Sequence, residues 1–277
     1  MLCGDRSTGA TLVAHPVPAI VSITGSTRAG KAVARSAAEL VKRTHLELGG
    51  KAPVVVFDDV DLGVAADGIA TAGYFNAGQD CTAATRVIVH ERVRDDLVAA
   101  LADQAAAVKL SRDEADDDAL YIPPINNATQ LQHVSGLVER VASHARVVVG
   151  GERLAGGGYF YRPTVIDGVR GDDELITTEI FGPVITVETF TDEDGAIARA
   201  NATEYGLAAS IWTNHHARAL RVAAAIDAGT VWVNCHIPLV AEMPHGGFKH
   251  SGYGKDLSNY SLEDYTRVKH VMSYVGR

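Results

Sequence analysis

An α/β fold with a largely parallel sheet is predicted from three features of the sequence. Short β-branched runs recur along the chain, amphipathic stretches of helical length lie between most of them, and glycine-bearing turns mark the breaks. The strand candidates are residues 20–23, 54–57, 87–89, 147–149, 184–187, 209–212 and 231–233. Among the helices, residues 29–42 begin at a glycine turn, 93–108 are rich in alanine, 128–143 carry apolar residues at helical spacing, and 193–200 are shorter. The acidic run at 112–118 reads as a solvated loop. Loops at 150–158 and 245–254 are the other breaks, and no repeat or low-complexity linker is found.

The chain has 277 residues, enough for one large domain or two ordinary ones, and an apolar fraction of 47% excludes a disordered chain. The longest uncharged apolar runs, 19–24 and 208–212, are far shorter than the roughly 20 residues of a membrane helix. Residues 1–10 hold Asp5 and Arg6 and lack the pattern of a secretory signal, so a cytoplasmic location is expected. Twenty-five basic against 34 acidic side chains give a charge of −9, which disfavours nucleic acid as a partner. Cys3, Cys81 and Cys235 are odd in number and far apart, so neither a disulfide framework nor a metal site is expected. Of the 11 histidines only His215 and His216 are adjacent, and no pair has metal-binding spacing.

Five segments carry candidate chemistry. In the first, a strand runs through Gly25, Ser26 and Thr27 to Gly30 and a helix, where free N–H groups can hold a phosphate or Ser and Thr can merely cap the turn. In the second, Glu47 lies between Leu46 and Leu48 ahead of two glycines. It reads either as a desolvated general base at a strand end or as a surface glutamate. The third places Cys81 after a glycine-bearing loop, as a nucleophile whose own N–H helps bind an oxyanion, or as an inert small hydrophobe. Cys3 and Cys235 take the inert reading. In the fourth, Glu179 and Phe181 form an acidic and aromatic pair in a turn, suited to ribose hydroxyls and a flat ring, or to solvent and core. The fifth, residues 243–254, is a loop whose glycines permit close backbone approach.

In this order and at these separations the segments resemble the NAD(P)-dependent aldehyde dehydrogenase superfamily. The matching motifs are Gly25-Ser-Thr with Gly30, Leu46-Glu-Leu-Gly-Gly-Lys, Gly78-Gln-Asp-Cys, Glu179-Ile-Phe-Gly-Pro and Gly246-Gly-Phe-Lys-His-Ser-Gly. Within the superfamily, Gly78-Gln-Asp-Cys-Thr-Ala-Ala-Thr-Arg, Glu242-Met-Pro-His-Gly-Gly and the ending from Gly254-Lys-Asp-Leu-Ser are similar to γ-aminobutyraldehyde dehydrogenases. The resemblance implies an aldehyde dehydrogenase-like catalytic domain with a truncated Rossmann-type cofactor domain. It assigns residues 1–49 to a remnant of the NAD-binding domain, 50–254 to the thiol catalytic domain, and 255–277 to a tail whose stretch 266–275 holds an oligomerisation strand.

Carried onto this chain, the resemblance makes Cys81 the nucleophile and Glu47 the general base in oxidation of an aldehyde through a thiohemiacetal and a thioester, with NAD or NADP as cofactor. It gives Gly25, Ser26, Thr27 and Gly30 to the cofactor phosphates, Leu48 to the carboxamide, and Glu179 with Phe181 to the nicotinamide ribose and ring. His245 stands where the family often has an aromatic residue, and Asp80 precedes the nucleophile; an acid there favours a cationic ω-aminoaldehyde. Asp80 also reads as a hydrogen-bonded loop residue. The resemblance begins at about Gly4 and leaves without counterpart the family's Pro-Trp-Asn segment and the lysine that holds the adenine ribose. A homo-oligomer or a separately encoded N-terminal half is therefore expected as partner, together with an unpaired edge on the strand at 20–23. A non-enzymatic remnant and an NAD-independent thiol esterase are the alternative functions.

Overall fold

Val and Ile have little side-chain freedom to lose on a pleated surface, and their short runs build the sheets. The computed structural model describes residues 3–110 and 121–276; the acidic run at 112–118 lies outside the described residues. The chain begins with α1 (Arg6–Ala14), β1 (Ile20–Thr24), α2 (Thr27–Ala38) and β2 (Arg43–Glu47). Then follow β3 (Pro53–Val56), α3 (Leu62–Tyr74), β4 (Arg86–His90), α4 (Arg94–Ala107), β5 (Lys109–Leu110) and β6 (Tyr121–Ile122). Next are α5 (Ala128–Glu139), β7 (Arg146–Val149), β8 (Thr164–Asp167), α6 (Glu174–Thr177), β9 (Val184–Phe190) and α7 (Glu193–Asn201). The chain ends with β10 (Tyr205–Gly206), β11 (Ala208–Trp212), α8 (His216–Ala225), β12 (Thr230–Val233), β13 (Phe248–Lys249), β14 (Gly252–Tyr253) and α9 (Ser258–Tyr265).

Among the described residues the main sheet has seven strands in the order β12-β11-β3-β4-β9-β8-β7. All pairs are parallel except β7 with β8, so the expected α/β class with a largely parallel sheet is the one observed. Both faces are covered. Val54, Val56, Val87 and Val89 pack with Ile69 of α3 and Leu97 and Leu101 of α4. Val55 and Ile88, one residue out of phase, turn to the opposite face with Ala196 of α7 and Val222 of α8. Leu131 and Val134 of α5 meet Leu175 and Ile176 of α6 in a third cluster.

The expected runs lie on strands except for Phe57, one residue beyond the end of β3, and helix ends shift. The helix expected at 29–42 starts at Thr27, because Ser26 caps it by accepting from the Ala29 N–H at 3.3 Å, and it stops at Ala38. The one expected at 128–143 ends at Glu139. Helix α3 was not anticipated. Its buried face is made largely of small residues, Ala65, Ala66, Ala70, Ala72 and Gly73 with Ile69, and its exposed stripe mixes Gly63 and Val64 with Asp67 and Thr71, so the polar–apolar contrast is weak.

A smaller sheet, β1-β2-β14, carries the first part of the candidate site. β1 runs parallel to β2, and its far edge pairs with no strand among the described residues. β14 pairs antiparallel with β2, Gly252 opposite Glu47. Gly252 has φ +109°, and a Cβ there would lie 1.9 Å from the Leu46 carbonyl oxygen. Gly252→Ala is therefore expected to cost about 3 kcal/mol, read as a lower denaturant midpoint; an unchanged midpoint contradicts this pairing. Beyond α9, the stretch 266–275, expected to hold a strand, forms none among the described residues, because no neighbouring strand is there to pair with it. Its apolar residues Val268, Val271, Met272, Tyr274 and Val275 are exposed. No helix among the described residues is long and apolar enough to cross a membrane.

Candidate active site

Three of the candidate segments lead into three neighbouring parallel strands. Residues 47–51 run into β3, the Cys81 loop into β4, and the Glu179 turn into β9, and these strands are adjacent in the order β3-β4-β9. Parallel strands start at one edge of the sheet, so segments far apart in sequence are brought side by side. Gly50 is pressed so closely on the Cys81 loop that a Cβ would lie 2.2 Å from the Cys81 carbonyl oxygen. The late loop backs the same place. Ser251 Oγ donates to the Gly49 carbonyl at 2.7 Å and accepts from the Gly206 N–H at 3.0 Å, while the Leu48 N–H donates to the Ser251 carbonyl at 3.0 Å.

The Cys81 loop is held from both ends. Asn76 and Ala77 take left-handed backbone angles, and Asn76 Nδ2 donates to the Gln79 carbonyl at 3.0 Å. Asp80 Oδ1 accepts from the Thr82 N–H at 2.7 Å and the Thr82 hydroxyl at 2.8 Å. His236 is buried with Nε2 2.7 Å from the Thr82 carbonyl and Nδ1 2.8 Å from Ser210 Oγ. A carbonyl only accepts, so Nε2 carries the proton and the ring is neutral; burial pulls its pKa down to about 4. Burial pushes the Cys81 thiol up to about 12, with the carboxylates of Asp80, Glu179 and Glu47 adding to the effect. The other thiols differ from each other. Cys3 is exposed, which corrects its reading as a buried hydrophobe, whereas Cys235 packs against the cluster of Ala52, Ala208 and Trp232.

Glu47 ends β2 and is only 5% exposed, which removes the reading of a surface glutamate. Burial raises its pKa to about 8, helped by Asp256 and opposed by Lys255. The carboxyl of Glu179 is also raised, chiefly by burial, and its Oε1 accepts from the Gly50 N–H at 3.0 Å. Beside it Lys51 is fully buried with Nζ unpaired among the described residues. Burial, then Arg86, lowers the Lys51 pKa to about 7 against the opposing pull of Glu179 and Glu188. Phe181 is 36% exposed with φ +51°, so it is not a core anchor. Gln130 Nε2 holds that turn by donating to the Ile180 and Phe181 carbonyls, both at 3.0 Å.

A cavity of about 720 Å³ joins these groups. Gly25, Ser26, Glu47 and Leu48 line one part; Asp80, Cys81, Glu179 and Phe181 line another. A second cavity of about 680 Å³, between α1, β1 and α2, shares Ser26 and Arg28 with the first. Three expected residues lie off the larger cavity. Thr27 donates its hydroxyl to the His250 carbonyl at 3.2 Å, tying α2 to the late loop. Gly30 faces Leu48, whose Cδ atoms would sit 2.5 Å from an added Cβ, so its smallness serves packing. His245 lies against the base, Nδ1 3.8 Å from Glu47 Oε2. Two neighbours of Glu47, His45 and Asp256, were not singled out from the sequence. The signal for His45 was its spacing, two residues before Glu47 and hence on the same strand face.

The aldehyde dehydrogenase family model matches residues 1–271. The structure is similar to that of betaine aldehyde dehydrogenase from Staphylococcus aureus in complex with NAD+, at 36% identity and a TM-score of 0.91, covering 95% of this chain and 53% of that one. It is also similar to a putative aldehyde dehydrogenase from Burkholderia cenocepacia, at 36% identity and a TM-score of 0.89, covering 94% of this chain and 54% of that one. The chain belongs to the aldehyde dehydrogenase family. It spans about half the length of the solved relatives it matches.

Proposed function

We propose that this chain carries the thiol and base of an NAD+-dependent aldehyde oxidation, with an ω-aminoaldehyde such as 4-aminobutyraldehyde as substrate. The observation that supports it is the single cavity onto which Cys81, Glu47, Glu179 and Phe181 open together. The Cys81 thiol gives its proton to water, the thiolate sulfur bonds to the aldehyde carbon as the C=O π pair moves onto oxygen, and the Cys81 N–H donates to the resulting thiohemiacetal oxyanion. NAD+, held by the residues lining the cavity, would supply the hydride acceptor needed to take this adduct to the thioester level. Glu47 then takes a proton from water as the water oxygen attacks the thioester carbon, and the carbon–sulfur bond breaks to release the acid and free Cys81.

The residues present fit a dinucleotide. Gly25 lines the larger cavity and Ser26 lines both, at the start of α2, where unsatisfied backbone N–H groups favour an anion. Phe181 offers an exposed ring, and the Glu179 carboxylate lies on the same wall. Thr27 and Gly30 act through the placement of α2. We assign residues 1–49 to the cofactor side and 50–254 to the thiol side, and place full activity in an oligomer of like chains, which the exposed apolar stretch after α9 supports.

For substrate choice, the solved relative is named for betaine aldehyde, a cationic aldehyde, and Asp80 gives this cavity an acid beside Cys81. The motif likeness at 78–86 and 242–247 supports an amine. The test is NAD+ reduction with 4-aminobutyraldehyde, and NADP+ in parallel. Asp80→Asn is expected to raise KM for the amine roughly tenfold while a neutral aldehyde of equal length is unaffected. Equal effects on both remove Asp80 from substrate selection.

A further inference from the structure

Glu47 receives a proton in each deacylation and must lose it again, yet it is enclosed and its Oε1 has no hydrogen-bond partner among the described residues. Its neighbour on the same face of β2, His45, is 1% exposed, and neither ring nitrogen has a hydrogen-bond partner among the described residues. Leaving such groups unpaired in a fold is costly, roughly 1–3 kcal/mol each, so their surroundings are informative. His45 Nε2 lies 3.5 Å from Glu47 Oε1 and 3.4 Å from Asp256 Oδ1, and Nδ1 lies 3.7 Å from Asp264 Oδ2. The Glu47 side chain is 6% exposed, whereas those of Asp256 and Asp264 are 50% and 31% exposed. The ring thus bridges a dry carboxyl and two wet ones.

We propose that His45 is the proton-transfer residue that empties Glu47 between turnovers. This rests on the reading of Glu47 as the base. Asp264 Oδ2 faces Nδ1 at 3.7 Å, and its negative charge favours the tautomer with hydrogen there; the Lys255 N–H holds Asp264 in turn, donating at 2.7 Å. Nε2 is then free to accept. The Glu47 O–H bond breaks as the Nε2–H bond forms, giving an imidazolium among three carboxyl groups. The same Nε2 proton next passes to Asp256 and to water, which restores the starting tautomer. Each transfer needs its partners to close by roughly 0.7 Å to hydrogen-bond distance.

Gly254 packs closely on the ring: a Cβ there would be 2.8 Å from His45 Cγ and Nδ1, so only glycine lets the late loop approach His45 this nearly. The Tyr265 ring flanks it at 5.5 Å. The charged groups around the relay are Asp256 and Lys255 from the late loop, Asp264 from α9, Arg43 3.8 Å from Asp264, and His245 against the other oxygen of Glu47. His245 is less suited to the task, since Glu47 is its one ion-pair partner among the described residues.

The test separates acylation from deacylation. Cys81 is acetylated with p-nitrophenyl acetate, and loss of the acetyl group is followed by intact mass. His45→Gln is expected to leave the acylation burst unchanged and slow deacylation by roughly 10–100-fold. His45→Ala, which leaves space for a free ring, is expected to be accelerated by added imidazole. A wild-type deacylation rate in His45→Gln, with Glu47→Gln slow, overturns the relay and leaves the base in place. A wild-type rate in Glu47→Gln overturns the base reading and the relay with it. Equal slowing of both phases without imidazole rescue assigns His45 a structural role only and overturns the relay. Failure of Cys81 to take an acetyl group overturns the thiol and base reading, and the relay with it.

Discussion

Cys81→Ala is expected to abolish both acylation by ester or aldehyde probes and all ester cleavage, whereas Cys3→Ala and Cys235→Ala retain them. The distinction is one of place: Cys81 opens onto the cavity beside Glu47, Cys3 is exposed near the start of the chain, and Cys235 packs against Ala52, Ala208 and Trp232. Reactivity also has a predictable pH dependence. Only the thiolate attacks, and burial together with three carboxylates pushes the Cys81 thiol up to about 12. Alkylation of Cys81, resolved from the other thiols by peptide mass spectrometry, is expected to climb about tenfold per pH unit between pH 7 and 9. A plateau within that range contradicts the raised thiol.

Glu47→Gln is expected to slow deacylation roughly 100- to 10,000-fold while leaving Cys81 able to take up an acyl group. The carboxylate is the active form, and its pKa lies at about 8 because of burial, so the wild-type rate rises with pH through that region and the variant's does not. The raised pKa also affects stability with a definite sign. The folded pKa stands above the unfolded value near 4.5, so the fold favours the protonated carboxyl. Its contribution is fully present below about pH 4.5 and is lost as pH rises through about 8. Glu47→Gln, which cannot ionise, is therefore expected to be the more stable protein above pH 8, by about 1.4 kcal/mol for each pH unit separating the folded and unfolded pKa. Denaturant midpoints measured from pH 5 to 9 check this; parallel curves for the two proteins contradict it.

Local pattern was enough to locate the strands of the main sheet except β8, whose two apolar residues, Val165 and Ile166, stand between Thr164 and Asp167 and make too short a run. It missed α3 because small Ala and Gly dominate the buried face while Gly63 and Val64 share the exposed side with Asp67 and Thr71, which leaves little contrast to set a period. The site divides in a similar way. Local pattern left Cys81 and Glu47 open to an inert reading, and they were legible because their neighbours match a family. His45 and Asp256 were not, since one looks like an ordinary strand residue and the other lies 209 positions after Glu47. Thr27 and Gly30 belong to a matching motif, yet hydrogen bonding to His250 and packing on Leu48 account for them.

By itself the sequence determined the α/β class, the family, and which thiol and carboxyl carry candidate chemistry, because strand propensity and side-chain reactivity are properties of residues and their near neighbours. Only the tertiary structure decided that the chemistry gathers where β3, β4 and β9 begin, although ligands in open parallel sheets generally bind where strands end. Strand order settles which loops become neighbours, and local pattern holds no record of it. Burial settles the protonation of Glu47 and Cys81, because a pKa depends on water removed and on charges brought near by parts of the chain far away in sequence.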